Sequence, residues 1–97
     1  MIKHVVCFKL KDNSQDAKEK ATNVLLSMIT KVPQIWGIEV GQNVLDTHRS
    51  YDLILQVVVE SLDKLNEYQN DKYHVEVVKK YMHERIVSSV AVDYEID

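Results

Sequence analysis

Residues 51–59 read Tyr-Asp-Leu-Ile-Leu-Gln-Val-Val-Val and form the strongest strand pattern in the chain. Leu53, Leu55 and Val57 point to one face of this strand, because successive side chains alternate between its two faces. The other face carries Ile54 and Val58, which are also apolar. A solvated face would carry polar or charged residues at these positions, so the pattern predicts a sheet that is covered on both sides.

Three further stretches alternate with the period of a strand. Residues 35–44 precede residues 51–59, and the polar turn at 46–50 joins the two as an antiparallel hairpin. Residues 2–10 and 86–96 alternate in the same way near the two ends of the sequence. The chain therefore has four predicted strands.

Helical spacing of apolar residues fills the two long gaps between the strands. The first helix begins after Ser14, whose hydroxyl can cap it, and ends at Val32-Pro33, because the residue before a proline avoids the α region. The second helical region begins after Ser61 and is interrupted at 70–72. The order β-α-β-β-α-β predicts an α+β, ferredoxin-like domain with a four-stranded antiparallel sheet. Right-handed crossovers place the helices on one face of that sheet.

The second face of the sheet is left open, and we predict that it is apolar. The helix-covered face is assigned Val6, Phe8, Leu53, Leu55, Val57, Val90 and Val92. The open face is assigned Val5, Cys7, Ile54, Val58, Val87 and Ala91. An exposed apolar patch usually marks an interaction site, and two-fold pairing with a second copy is the commonest solution. We therefore expect a homodimer through this face; the alternative is that a loop or the C-terminal tail covers it.

Size and charge narrow the classes of function. The 97 residues fit a single domain, residues 1–97. Nucleic acid is not an expected partner, because the net charge is -3 and no basic stripe is present. No stretch has the length and apolarity of a membrane span, and residues 1–10 lack a signal-peptide pattern. Together with the single cysteine, Cys7, these features predict a cytoplasmic protein.

Few residues could carry chemistry. The sequence has no CxxC or HExxH motif and no Gly-rich phosphate loop, so we expect neither a metal nor a cofactor. The topology can bring His4, Tyr68 and His74 to one end of the space between helices and sheet. An imidazole can carry a proton near neutral pH, and a phenol can orient it or donate to a developing enolate. The alternative is that these residues only pack and form hydrogen bonds.

Fragments along nearly the whole chain resemble the stress-responsive A/B barrel (Dabb) family. They read Ile-Lys-His-Val-Val-Cys-Phe-Lys-Leu-Lys at 2–11, Ile-Glu-Val-Gly-Gln-Asn at 38–43, Tyr-Asp-Leu at 51–53, Tyr-Gln-Asn at 68–70 followed by His74, and Val-Asp-Tyr at 92–94. The resemblance implies a ferredoxin-like fold and a homodimer whose two sheets close into a dimeric α+β barrel. It also implies a pocket between sheet and helices.

The resemblance extends to candidate catalytic residues. In a plant member that cyclises a linear polyketide, the working histidines and tyrosine match His4, Tyr68 and His74 here. The match implies that His74 is a general base or acid, Tyr68 its partner and His4 a polar group of the pocket. Many members carry a His-Pro pair just before the last histidine, whereas this chain has Asp71 and Lys72. That difference predicts a different turn in front of His74.

Three functions stay open at this point, and whether the protein is an enzyme stays open with them. The first is a Dabb homodimer of unassigned activity that binds a small molecule between sheet and helices. The second is a cofactor-free cyclase or lyase, which requires that His4, Tyr68 and His74 line one open cavity. The third is a monooxygenase of the antibiotic-biosynthesis type, which requires a bound haem or a much roomier pocket. We rank them in this order.

Overall fold

The computed structural model describes all 97 residues, and its elements follow the predicted order. The strands are β1 (Ile2–Leu10), β2 (Gly37–Gln42), β3 (Leu53–Val59) and β4 (Ile86–Glu95). The helices are α1 (Gln15–Leu26), α2 (Met28–Lys31), α3 (Leu62–Asn70) and α4 (Lys80–Arg85), with a π-helical segment (His74–Lys79) directly before α4. The strands pair antiparallel in the order β2-β3-β1-β4. The predicted ferredoxin-like α+β fold is confirmed.

Both predicted helix starts agree with the structure. The Ser14 hydroxyl accepts a hydrogen bond from a backbone N–H of the first turn of α1, and the Ser61 hydroxyl does the same for α3. The first helical region is divided at Ser27, which separates α1 from α2 and whose hydroxyl donates to the carbonyl of Val24. Val32 is extended, as expected of the residue before Pro33. No helix is long and apolar enough to cross a membrane.

The core lies between the helices and one face of β1 and β3. Leu53, Leu55, Val57 and Val59 are at most 2% exposed, so every second residue of β3 is completely covered. The helices contribute buried residues to the same cluster, among them Leu25, Met28, Val78 and Met82. The helical layer ends before β4, where residues 87–95 are all exposed. β4 therefore extends the sheet beyond the helices that cover it.

The pairing of β4 with β1 corrects the predicted faces of the last strand. Val92 lies opposite Val5, and Ala91 lies opposite Val6. Directly opposed residues of neighbouring strands share a face, so Val92 is on the open face and Ala91 on the helix-covered face. Val90 shares the open face with Val92, two residues further along the strand. The assignment of these three β4 residues from alternation alone was wrong.

A β-bulge is the physical reason for this error. Ile86 lies opposite Leu10 and Ser88 lies opposite Lys9, so Val87 is an extra residue with no partner on β1. An extra residue reverses the facing of all side chains that follow it, because the strand period is two. Ile86 packs against the core as its pattern indicated, but the rest of β4 is inverted. Val87, expected on the open face, lies at the bulge and is exposed.

Candidate functional site

A cavity of about 260 Å³ lies between the helices and the sheet. β1, β3 and β4 form its floor, and α1, the end of α3, the π-helical segment and α4 form its other walls. Most of the lining is apolar, and the polar side chains are those of His4, Gln69, His74, Lys79 and Ser89. Two of the three predicted site residues therefore face this cavity.

The three predicted site residues form one aromatic cluster. The rings of Tyr68 and His74 are stacked, with centroids 4.2 Å apart and an angle of 29° between the planes. The ring of His4 meets Tyr68 edge-on, with centroids 5.7 Å apart. The topology thus brings together residues that are far apart in the sequence, as predicted.

Tyr68 lies behind the cavity rather than in its wall. Its side chain is completely buried, and its hydroxyl points to the sulfur of Met28 at 3.8 Å. Burial raises the pKa of the Tyr68 phenol well above its usual range, so the hydroxyl stays protonated. Tyr68 contacts His74 through its ring and through its backbone carbonyl, and its hydroxyl forms no hydrogen bond with either histidine.

Asp71 fixes the turn that leads into His74. Its carboxylate accepts hydrogen bonds from the backbone N–H groups of Tyr73, at 2.9 Å, and of His74, at 3.3 Å. A carboxylate in this position caps a helix start by satisfying otherwise unpaired N–H groups. This chain therefore builds the turn with a capping aspartate, at one of the two positions where many members of the resembled family have His-Pro. The π-helical geometry that follows is rare and occurs frequently at functional sites.

The environment of His74 fixes its tautomer and its charge. Its Nδ1 lies 2.9 Å from the backbone carbonyl of Tyr68. A carbonyl only accepts, so Nδ1 carries the hydrogen and Nε2 is the free basic nitrogen. Burial is the main reason why the pKa of His74 is lowered to about 4; the charge of Lys79 acts in the same direction, and the hydrogen bond to the Tyr68 carbonyl acts against it. At neutral pH His74 is therefore an uncharged base.

His4 is held by a residue that the sequence analysis missed. Its Nδ1 forms a hydrogen bond with the carboxylate of Asp93, which lies directly opposite it in the β1–β4 register. The carboxylate fixes the orientation of the imidazole, as in other carboxylate–histidine pairs. Alternation within β4 alone would place Asp93 on the open face, because it does not reveal the bulge at Val87. The β1–β4 register, which pairs Asp93 with His4, would have identified it.

Both histidines keep one nitrogen available for a ligand. Neither Nε2 atom makes a hydrogen bond. The only side-chain polar atom of the chain that is both fully buried and without a partner is Gln34 Oε1, outside this cavity, so neither Nε2 atom is fully buried. Both Nε2 atoms are therefore reachable from solvent. A neutral base and a carboxylate-backed imidazole on one cavity can accept and donate protons. No three His, Cys, Asp or Glu side chains group closely enough to hold a metal ion.

Comparison with known proteins identifies relatives along the whole chain. The family model described as Stress responsive A/B Barrel Domain matches residues 2–96. Among curated proteins no relative matches. A structure from Bacteroides fragilis, described as a dimeric protein of unknown function with a ferredoxin-like fold, is 29% identical with a TM-score of 0.79, over 98% of this chain and 95% of that one.

Two more distant structures share the fold. A protein of Arabidopsis thaliana is 20% identical with a TM-score of 0.87, over 100% of this chain and 96% of that one. The hydroxynitrile lyase of Passiflora edulis is 12% identical with a TM-score of 0.77, over 99% of this chain and 93% of that one. Similarity at these identities is evidence for the fold alone.

Proposed function

Because the chain belongs to the stress responsive A/B barrel domain (Dabb) family, we propose that it is a homodimer with one small acid–base site in each subunit. The reaction class that the site fits best is proton transfer at a carbon next to a carbonyl, as in a cofactor-free cyclase or lyase. The condition stated from the sequence is met by two of the three residues, because Tyr68 lies behind the cavity, and the proposal therefore uses only His4 and His74 as reacting groups. One observation carries this proposal. His4 and His74 line the same cavity, and each has its Nδ1 bound to a fixed acceptor.

In the proposed reaction His74 is the general base and His4 is the general acid. His74 Nε2 takes a proton from the carbon next to the substrate carbonyl, and the C–H electron pair moves into the new carbon–carbon double bond. The carbonyl π pair moves to oxygen, where the protonated imidazole of His4 donates its Nε2 proton. Asp93 stabilises that imidazolium before the transfer. Tyr68 holds His74 in place through its ring and carbonyl.

Exchange of carbon-bound hydrogen for deuterium tests this proposal directly. A small β-ketoester in D₂O should lose its α-proton signal faster with the protein than without it, as followed by ¹H NMR. His74→Gln should slow the catalysed exchange by about 10²-fold, the lower end of the range for a general base. His48→Gln is the matched control, because His48 is exposed in the turn between β2 and β3. Equal rates for His74→Gln and wild type would remove the proposed function.

The proposed dimer uses the open face of the sheet. On β1 and β3 the face carries Val5, Cys7, Ile54 and Val58, as predicted from the sequence. The register adds the three β4 residues Val90, Val92 and Tyr94 and removes Ala91. Val90, Val92 and Tyr94 are between 46% and 63% exposed, so this face carries large apolar side chains that a single chain leaves uncovered. The dimeric relative from Bacteroides fragilis supports self-pairing.

The size of the cavity makes a monooxygenase that acts on haem a poorer fit. Ligand pockets for drug-sized molecules run from about 300 to 1,000 Å³. The cavity here, at about 260 Å³, lies below that range. The space directly beside the two histidines therefore fits a small ketone-bearing molecule better than a haem.

A further inference from the structure

A second depression of the surface adjoins the cavity with the two histidines. This outer depression, of about 430 Å³, shares Phe8, Lys79, Met82 and Ser89 with the inner cavity. Its other lining residues are Lys80, His83 and Ile86. Together these two adjoining spaces are called the cleft, and its outer part lies between α4 and the beginning of β4.

The charge of this cleft is opposite to that of the whole chain. The chain has 15 acidic and 12 basic residues, and its net charge is -3. No aspartate or glutamate lines either part of the cleft, whereas Lys79 and Lys80 line its outer part. Three other depressions of the surface each include at least one carboxylate. A cleft with one sign of charge concentrates ligands of the opposite sign.

Lys79 occupies the point where the inner and outer parts meet. Its ammonium donates a hydrogen bond to the backbone carbonyl of Gln69, at 3.1 Å, and this contact anchors it at the edge of the inner cavity. An ammonium has three donors, so two remain for a ligand. The inner walls beyond Lys79 are mainly apolar, and seven hydrophobic side chains contribute to them.

We infer that the cleft binds an amphipathic carboxylate, with its apolar body in the inner cavity and its carboxylate at Lys79. The inference rests on the proposed function, because it names the ligand class of the same site. Two separate features carry it: the apolar inner wall, and the cationic outer lining without carboxylates. A neutral ligand would use the first feature only, and a cation would be repelled by the second.

Binding of two matched probes tests the inference. Octanoate and octanamide have the same apolar body, so their affinities, measured by isothermal titration calorimetry at low salt, differ mainly through the charge of the head group. We expect octanoate to bind about tenfold more tightly, equivalent to about 1.4 kcal/mol, because only its charged head group forms a charge-assisted hydrogen bond with the Lys79 ammonium. Added salt should weaken the binding of octanoate but not that of octanamide.

Two variants locate the effect. Lys79→Met removes the charge but keeps an apolar stem, so the affinity for octanoate should fall to that for octanamide. Lys31→Met makes the same change of charge on α2, outside the cleft, and should leave both affinities unchanged. Equal affinities for the two probes in wild type, no effect of Lys79→Met, or no binding of either probe would each overturn the inference.

The outcome is separable from that of the proposed reaction, because binding requires no turnover. Octanoate binding that depends on Lys79, together with exchange that does not depend on His74, would support the ligand class and remove the acid–base function. Exchange that depends on His74, with equal binding of octanoate and octanamide, would remove only the ligand class.

Discussion

Both faces of the sheet carry many apolar side chains, but they differ in which residues are buried and which are exposed. On the helix-covered face, Val57 and Val59 are completely buried, but His4 and His74 are buried beside them. On the open face no such polar residue is enclosed, but Val92 and Tyr94 remain 63% and 46% exposed. A buried polar residue and an exposed apolar patch are the observations that carry information about function. The covered face therefore points to chemistry, and the open face to association.

A charge in the middle of the open face should dissociate the proposed dimer, and this is the largest effect we expect. Val5→Asp places a carboxylate on the central strand β1, where a second sheet would bury it without a partner. Such a charge costs about 3–5 kcal/mol, enough to raise the dimer dissociation constant by more than about 10²-fold. Sedimentation velocity should then report monomers with an unchanged circular dichroism spectrum.

Neighbouring residues of β4 provide the matched control for that experiment. Val92→Asp should also yield monomers, because Val92 lies opposite Val5 on the open face. Ala91→Asp should stay dimeric, because Ala91 lines the cavity on the other face. A dimer that survives Val5→Asp, or one that Ala91→Asp dissociates, contradicts the assigned interface.

Acid should lower the free energy of unfolding mainly through His74, on the helix-covered face. The pKa of His74 is about 4 in the folded protein and about 6.5 in the unfolded chain. Between these values the unfolded chain binds more protons, so the free energy of unfolding decreases as the pH falls from 6.5 to 4. The contribution of the neutral His74 to the free energy of unfolding is fully present above pH 6.5. It is on the order of 2 kcal/mol after allowance for solvent screening.

Urea unfolding at pH 7 and at pH 4.5 measures this contribution. His74→Gln lacks the titrating group, so its free energy of unfolding should change less between the two pH values than that of wild type. The exposed His48→Gln should behave like wild type. If His74→Gln and wild type lose the same amount, His74 is not the neutral buried base described above.

The smallest effect is expected from Tyr68→Phe, which sharpens the description of the covered face. The only hydrogen bond of the Tyr68 hydroxyl is a weak one to the sulfur of Met28, so its removal should change the free energy of unfolding by less than about 1 kcal/mol. The ring and the carbonyl that hold His74 remain, so the rate of proton exchange should stay within about threefold of wild type. A loss approaching that of His74→Gln would place the hydroxyl in the reaction itself.

The sequence predicts most of the fold, because the signals that determine it are local. The double-sided apolar pattern of β3 and the capping residues Ser14 and Ser61 each act within a few residues. The closeness of His4, Tyr68 and His74 follows from topology, since crossovers of one hand bring these elements together. The family resemblance added the barrel-type dimer and the roles of the site residues, and those roles stay predictions.

The features that the sequence does not predict depend on contacts between distant residues. The bulge at Val87 arises from the pairing of β4 with β1, which alternation within β4 cannot register. The same bulge places Asp93 on the face that carries His4. The direction of the Tyr68 hydroxyl depends on the packing of Met28, forty positions earlier in the chain. Each miss therefore concerns which face or which way a side chain points, and not which element it belongs to.

The extra residue in β4 shifts the alternation of the strand by one position. Every side chain after Val87 is displayed on the face it would otherwise avoid. Deleting this one residue would exchange the two sets at once, taking Asp93 away from His4 and Val92 away from the open face. The proposed proton-transfer site and the proposed dimer interface therefore both depend on this one residue. An insertion or deletion here would alter both together, whereas a substitution can alter either one separately.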